Sequence, residues 1–421
     1  MYKKTILKNG LRIITVPQPA NMAMTVLVMV EAGSKYEQKQ INGLSHFLEH
    51  MCFKGTTNRP TSMLISAELD GLGAHYNAFT SHEWTGYFAK VEKHHAQQAI
   101  DLISDLYLNP IFDKAEIEKE KGVIIEELNM YEDMPQRKIG DIFLHLLYGD
   151  QPAGWDVGGE KDIIRILTKE DFVAYRAKHY LPQATTVIVT GAFDEPAVLA
   201  QIEKLFGNMS SGGKGTKLAV IEKQEKPIVF VKHKESDQTH LMLGFRAFSM
   251  FDPRRYTLEV LADILGGGMS SRLFHKIREE LGAAYYINAS ADLYTDHGYI
   301  AAGAGVEHSK LEIVIQAILA EFKRLTDEPV SAEELARAKS HLSGTMMLGL
   351  ETSDSLAVYY GVQEVLRKSE MTPDEILKKI ELVTSAEIQT LAKELFKNAG
   401  LNLAMIGPKK EGKEFEELLK L

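Results

Sequence analysis

Two histidines and a glutamate stand close together in His46-Phe47-Leu48-Glu49-His50. On a helix, residues four apart lie about 40° apart on one face, one turn above the other, so His46 and His50 can share a metal ion. Such a pair suits zinc, whose tetrahedral shell accepts imidazole nitrogens at about 2.0–2.1 Å. Glu49 lies on the same face, where it can reach a water held by the ion rather than the ion itself, which makes it the candidate general base. With 14 histidines in 421 residues, a random chain would show H-x-x-E-H on the order of 0.03 times, so chance explains it poorly.

A catalytic zinc usually takes a third protein ligand, commonly a carboxylate, and leaves its fourth position to water. Candidates come from an acidic helix that opens at Asp113, with Glu116 three residues on as in a capping box, and runs to about Met134 before Pro135. Glu120 and Glu127 are seven apart and point the same way, but two turns separate them by about 10 Å, so both cannot bind one ion. Glu126 is turned about 100° from Glu127 and faces elsewhere. Spacing leaves Glu120 and Glu127 open as the ligand.

The elements that must position these residues follow from hydrophobic periodicity. Residues 11–16 and 24–31 read as strands, and 42–53 as the helix carrying the histidines. Strands at 76–79 and 84–90 precede a helix that starts at His94 and stops at Asn109-Pro110. After the acidic helix come two more helices and a strand over 185–191. The Ser/Gly/Lys-rich stretch 210–217 reads as a linker, and the same succession then begins again. Val28 to Ser34 lies opposite Leu243 to Ser249, Ile111 to Gly122 opposite Pro329 to Ser340, and the helix from Thr168 opposite the one from Thr384. The expectation is an α+β chain of two homologous halves, each an antiparallel-rich sheet packed with helices. The domains are placed at 1–210 for the metal-binding half, 211–226 for a linker, and 227–421 for a half without the metal set. In the second half Leu261, Ile264 and Leu265 stand opposite His46, Glu49 and His50, and Thr345 stands near the counterpart of Glu127.

Composition narrows the class. A chain with 45% hydrophobic and 25% charged residues is an ordinary folded protein, and its net charge of −10 with no basic block argues against nucleic acid. The single cysteine, Cys52, excludes an internal disulfide and favours a reducing, cytoplasmic setting. No apolar run approaches the ~18–20 residues needed to span a bilayer, and the first twenty residues lack the apolar core of a signal peptide, so neither membrane insertion nor export is expected.

In these motifs the chain resembles the inverzincin zinc peptidases, the family of pitrilysin, insulysin and the mitochondrial processing peptidases, whose signature is the inverted H-x-x-E-H. The matching run is HFLEHMCFKGT at 46–56, with Arg59 following. The family's third ligand comes after 76 intervening residues, which from His50 falls on Glu127, and its additional glutamate, seven residues earlier, falls on Glu120. The resemblance covers essentially the whole chain and is similar to short, processing-protease-like bacterial members. It implies a zinc metalloendopeptidase with one Zn2+ per chain, held by His46, His50 and Glu127, with Glu49 as the base and Glu120 supporting a ligand.

It also implies peptide binding at Asn77, Ala78 and Phe79. This segment, continuing to Thr80 and followed by Glu83 and Tyr87, resembles an edge strand to which substrate adds as a further strand. Arg278 and Tyr285, seven apart after Ser270-Ser271-Arg272-Leu273-Phe274, would orient the peptide and steady the developing oxyanion. The chain departs locally from the family, reading Leu281-Gly282-Ala283-Ala284-Tyr285 where members often read Arg-Gly-Leu-Ala-Tyr. The implied substrate is a peptide or unfolded polypeptide. The implied assembly is a homodimer enclosing a chamber, with a heterodimer as the alternative, and Arg278 and Tyr285 would act either on the partner's site or on that of their own chain. The competing function is a non-catalytic partner or scaffold subunit, but such relatives usually lack the metal residues that this chain keeps. Among the remaining features, Gly266-Gly267-Gly268 reads as a helix terminus rather than a phosphate cradle, Cys52 as packing, and the residues after Lys409 as a short amphipathic helix.

Overall fold

The computed structural model describes residues 2–368 and 371–421. Two sheets organise the chain. The first has six strands, β1 (Lys3–Ile6), β2 (Arg12–Pro17), β3 (Ala23–Val30), β4 (His75–Thr80), β5 (Thr85–Glu92) and β6 (Thr185–Gly191), in the order β1-β2-β6-β3-β5-β4. The second has five, β7 (Ile228–His233), β8 (Thr239–Ala247), β9 (Ala284–Leu293), β10 (Gly298–Val306) and β11 (Asn402–Gly407), in the order β7-β11-β8-β10-β9. From β2 onward the orders are the same. Each sheet has one parallel pair, β2 with β6 and β11 with β7, and is otherwise antiparallel. The α+β fold with duplicated halves follows from this shared topology.

Helices repeat in step. In the first half, α1 (Leu44–Cys52) and α2 (Ser62–Gly71) lie between β3 and β4, and α3 (Ala96–Leu108), α4 (Lys114–Glu132) and α5 (Pro135–Tyr148) follow β5. In the second half, helices Arg255–Gly266 and Phe274–Glu280 lie between β8 and β9, and Leu311–Asp327, Ala332–Gly349 and Ser353–Val362 follow β10. Threonine-led capping boxes start two helices at corresponding places, Thr168 with Asp171 and Thr384 with Glu387. Gly266 ends its helix as expected, whereas the C-terminal helix is shorter than expected, only Lys413–Glu416, anchored by buried Phe415.

The contiguous division at 1–210 and 227–421 needs correction. One compact unit comprises Met1–Asn129, Trp155–Leu218 and Gly349–Glu370, and the other Met130–Gly154, Ala219–Leu348 and Met371–Leu421. The physical reason is visible in β3, whose sequence AMTVLVMV buries nearly every residue. A strand apolar on both faces needs cover on both. Met24, Val26, Val28 and Val30 join one core with Ile100, Leu102 and Ile103 of α3. The alternate residues face Ser353–Val362: Thr25 Oγ1 lies 2.8 Å from Ser353 Oγ, and Met29 packs where Gly361 lacks a side chain. In the second unit α5 plays the same part, with Ile139, Phe143 and Leu147 packed among Tyr299, Ala301, Ala404 and Ile406. Each half therefore contributes one helix to the other half's sheet. The predicted linker is not free of the first unit: Lys214 pairs with Glu31 and Lys217 with Glu83, the latter at 3.1 Å.

Candidate metal centre

Helix α1 forms because Leu44, Phe47, Leu48, Met51 and Cys52 recur at helical spacing and are buried. Phe47 meets Phe172 edge-on at 4.9 Å. The apolar stripe thus points inward, and His46, Glu49 and His50 take the other side. The helix starts at Gly43, whose φ of +95° is costly for any residue with a side chain. Its N-terminal donors are satisfied from a distance: the Glu37 carboxylate accepts the N–H of Gly43 at 2.8 Å, the N–H of Ser45 at 2.6 Å, and Asn42 Nδ2 at 3.0 Å. An anion here also opposes the positive end of the helix dipole. Burial pushes the Glu37 carboxyl up to about 7, against the pull of these hydrogen bonds.

Helix α4 buries Ile117, Glu120, Lys121, Ile124 and Leu128, which sets both its inward face and its height against α1. Glu127 Oε2 comes to 3.7 Å from His46 Nε2 and 3.5 Å from His50 Nε2. His46, His50 and Glu127 are also the group of side chains, among the described residues, whose ligand atoms lie within 4.8 Å of one another in a manner suited to a metal. Tetrahedral zinc with bonds of about 2.0–2.2 Å sets its ligand atoms roughly 3.3–3.6 Å apart, so this donor set fits that ion. Glu120 stands on the far side of His50: its Oε1 lies 3.0 Å from His50 Nδ1, and its Oε2 pairs with Lys54 Nζ at 2.7 Å. The carboxylate is an acceptor, so Nδ1 carries the proton and Nε2 presents its lone pair towards Glu127. Burial raises the Glu120 carboxyl, but the hydrogen bonds from His50 and Lys54 outweigh it and hold the group below its ordinary value. Glu126 is exposed and turned away.

Glu49 is largely buried, and its Oε2 accepts a hydrogen bond of 2.5 Å from Thr80 Oγ1. Burial pushes its carboxyl up; the Thr80 hydroxyl and nearby His50 oppose this, and Glu127 adds to it. Thr80 ends β4, which lies at the edge of its sheet with β5 on one side only. On that strand Asn77 is exposed, Phe79 half-buried and Ala78 buried, and the Ala78 N–H donates to Asn77 Oδ1 at 2.9 Å. Glu83 and Tyr87 are interior. Glu83 pairs with buried Lys35 at 3.0 Å, and Tyr87 shares its hydroxyl with Tyr180 at 3.1 Å. Arg278 and Tyr285 belong to the second unit, where Arg278 Nη1 donates to the Tyr285 carbonyl at 2.9 Å and the Tyr285 ring is 78% exposed. Cys52 is buried beside Tyr87, and burial pushes its thiol up to about 11.

Motif spacing did not single out Glu37 or Lys54, and it gave the Thr80 hydroxyl no task. Glu37 precedes α1 by a loop of no fixed length, so no period marks it. Lys54 lies four residues after His50, a separation that would have matched had the helix continued past Cys52.

Residues 12–157 match the family described as Insulinase (Peptidase family M16), and residues 167–342 match Peptidase M16 inactive domain. Over 408 residues, 97% of this chain and 98% of the relative, the sequence is 33% identical to an uncharacterized zinc protease, YmxG, of Bacillus subtilis. The chain belongs to peptidase family M16. An uncharacterized zinc protease of Rickettsia felis is 34% identical over 403 residues, covering 96% of each chain. A protease from Helicobacter pylori has the same fold, with a TM-score of 0.90 at 22% identity over 97% of this chain and 99% of that one. The description "inactive domain" falls on residues 167–342 of this M16 chain, the part that contains the buried Leu261, Ile264 and Leu265. His46, Glu49, His50, Glu120 and Glu127 all fall within 12–157. Among the described residues, no helix is long and apolar enough to cross a membrane.

Proposed function

We propose that this M16 chain is a zinc metalloendopeptidase that cleaves peptides or unfolded polypeptides, with His46, His50 and Glu127 as the ligands of one Zn2+ and Glu49 as the general base. The observation that carries the proposal is the convergence of two imidazoles and a carboxylate within 4.8 Å of one another, next to a fourth side chain, Glu49, whose carboxylate accepts a hydrogen bond from a hydroxyl of an edge strand. When bound, zinc supplies a water acidic enough to lose a proton near neutral pH and a Lewis acid for the scissile carbonyl. The rest is the work of the chain. Glu120 keeps the proton of His50 on Nδ1, so that Nε2 stays a ligand. Glu49 takes the proton of the attacking water and passes it to the leaving amine, a contribution of about 10² to 10⁴ in rate.

Strand β4 offers main-chain groups along its open edge, so an extended peptide can pair there and present a carbonyl beside Glu49. That mode recognises backbone rather than sequence and favours unfolded chains. Arg278 and Tyr285 supply further contacts to the peptide, and the active assembly is a homodimer. The test is Glu49→Gln in purified, zinc-loaded protein. Zinc content should stay at about one per chain while hydrolysis of a casein or peptide-library substrate falls by about 10²-fold or more. Wild-type cleavage by that variant overturns the proposal, and native mass measurement reads the assembly.

A further inference from the structure

The segment that follows β4 is held unusually firmly for a loop at a sheet edge. Ser81 N–H donates to the Trp84 carbonyl at 2.8 Å, closing the turn into β5. The carbonyls of Ser81 and His82 accept the N–H groups of Ser34, at 3.2 Å, and Lys35, at 2.8 Å. Gly33 lets the two backbones come this close, since a Cβ there would lie 2.2 Å from the Ser81 oxygen. Ser34 Oγ bonds His82 Nδ1 at 3.1 Å, and the buried Lys35–Glu83 pair fastens the turn from its other side. Thr80 enters this clamp from β4, with Thr85 opposite it, and the Thr85 hydroxyl is itself bonded to the Ala32 carbonyl at 2.9 Å. Its own Oγ1 points at Glu49 Oε2, 2.5 Å away.

A glutamate side chain has three rotatable bonds, and confining it carries an entropic cost that a contact must offset. Among the described residues, the one side-chain hydrogen bond to Glu49 is that from Thr80. A hydroxyl facing a carboxylate acts as the donor, and such charge-assisted bonds are the short, strong ones. One oxygen of Glu49 is therefore committed to a clamped threonine, which fixes where the other can stand.

Building on the reading of Glu49 as the base, we infer that Thr80 is a positioning residue: its hydroxyl, fixed by the 33–35 and 81–85 clamp, aims Glu49 and couples the edge strand that takes the peptide to the group that moves the proton. Thr80 acts through Glu49 and not on the peptide, so its loss should appear in turnover and not in binding.

The experiment uses the full chain loaded with zinc and a fluorogenic peptide that the wild type cleaves. Thr80→Val keeps the shape and removes the donor. Its kcat should fall by about 10- to 100-fold, the range for an angstrom-scale misplacement of a reacting group, with KM and zinc affinity each within about twofold of wild type. Thr80→Ser restores the donor and should recover kcat to within about threefold. In the Glu49→Gln background the base is absent, and adding Thr80→Val should leave the affinity for the same peptide unchanged by calorimetry. If Thr80→Val melts early, Thr80→Ala and Thr80→Ser are compared with each other in its place. A wild-type kcat in Thr80→Val overturns the assignment, as does a rise in KM at constant kcat or weaker peptide binding in the Glu49→Gln background. If the zinc-loaded wild type cleaves nothing, the endopeptidase reading falls and takes this one with it; if the wild type cleaves and only Thr80→Val behaves as wild type, the role of Thr80 alone is lost.

Discussion

Replacing Glu120 by Gln changes one oxygen to an amide and leaves the shape almost intact, yet it should weaken zinc binding substantially. Glu120 is 2% exposed and serves two donors at once, His50 Nδ1 at 3.0 Å and Lys54 Nζ at 2.7 Å. A glutamine has one acceptor for these two donors. If its oxygen stays with His50, its amide hydrogens face the Lys54 ammonium. If the oxygen turns to Lys54, the amide donates towards Nδ1 and drives the imidazole proton to Nε2, the nitrogen 3.5 Å from Glu127. Either way one buried, charge-assisted hydrogen bond is lost, about 1.5–3 kcal/mol. That range corresponds to roughly 10- to 150-fold in a dissociation constant, in line with the 10–100-fold typical of residues that orient a metal ligand. Competition against a chromophoric chelator at fixed pH gives the zinc constant, and circular dichroism checks the fold. Glu126→Gln, an exposed change on the same helix, should leave zinc affinity unaltered. Zinc affinity within twofold of wild type for Glu120→Gln would refute the assignment of Glu120 as the group that holds the His50 tautomer.

Two further outcomes concern the scaffold, beside those given above for Glu49 and Thr80. Glu37→Ala orphans the buried N–H groups of Gly43 and Ser45 and should cost about 3 kcal/mol in urea unfolding, with a loss below about 1 kcal/mol counting against the capping role. His179 is buried, with Tyr175 at 4.5 Å and Tyr36 at 5.6 Å between ring centres, and burial lowers it from its ordinary 6.5 to about 4. Between these two values the unfolded chain binds the proton that the folded chain refuses, so metal-free protein should lose stability as pH falls from 6.5 towards 4, by up to about 3 kcal/mol. His179→Asn should flatten that part of the unfolding profile, and an unchanged slope would sink the explanation.

Much of the candidate metal centre was legible because it depends on helical periodicity alone. Leu44, Phe47, Leu48 and Met51 commit one face of α1 to the core, so His46 and His50 must share the other, whatever the rest of the fold does. The same logic brings Glu120 and Glu127 to one face of α4, and there it stops. Two residues seven apart are equivalent in direction, and which of them meets the histidines depends on how far α4 slides along α1, which the burial of Ile117, Ile124 and Leu128 settles. Glu37 and the Thr80 hydroxyl escaped notice for a related reason: each reaches its target across a chain reversal, where sequence distance carries no angular information.

The amino-acid order by itself determined the candidate residues, the helices that carry them and the repeat of one topology in two halves, since each of these is a pattern of residue types along the chain. Spacing left Glu120 and Glu127 open and the family resemblance pointed to Glu127; only the tertiary structure brings that carboxylate to both histidines, sets Glu120 against His50, and exchanges α5 and Ser353–Val362 so that the compact units are discontinuous. A strand as apolar as β3 announces that both its faces will be covered, but any amphipathic helix could answer that demand, and only the packed chain shows which one does.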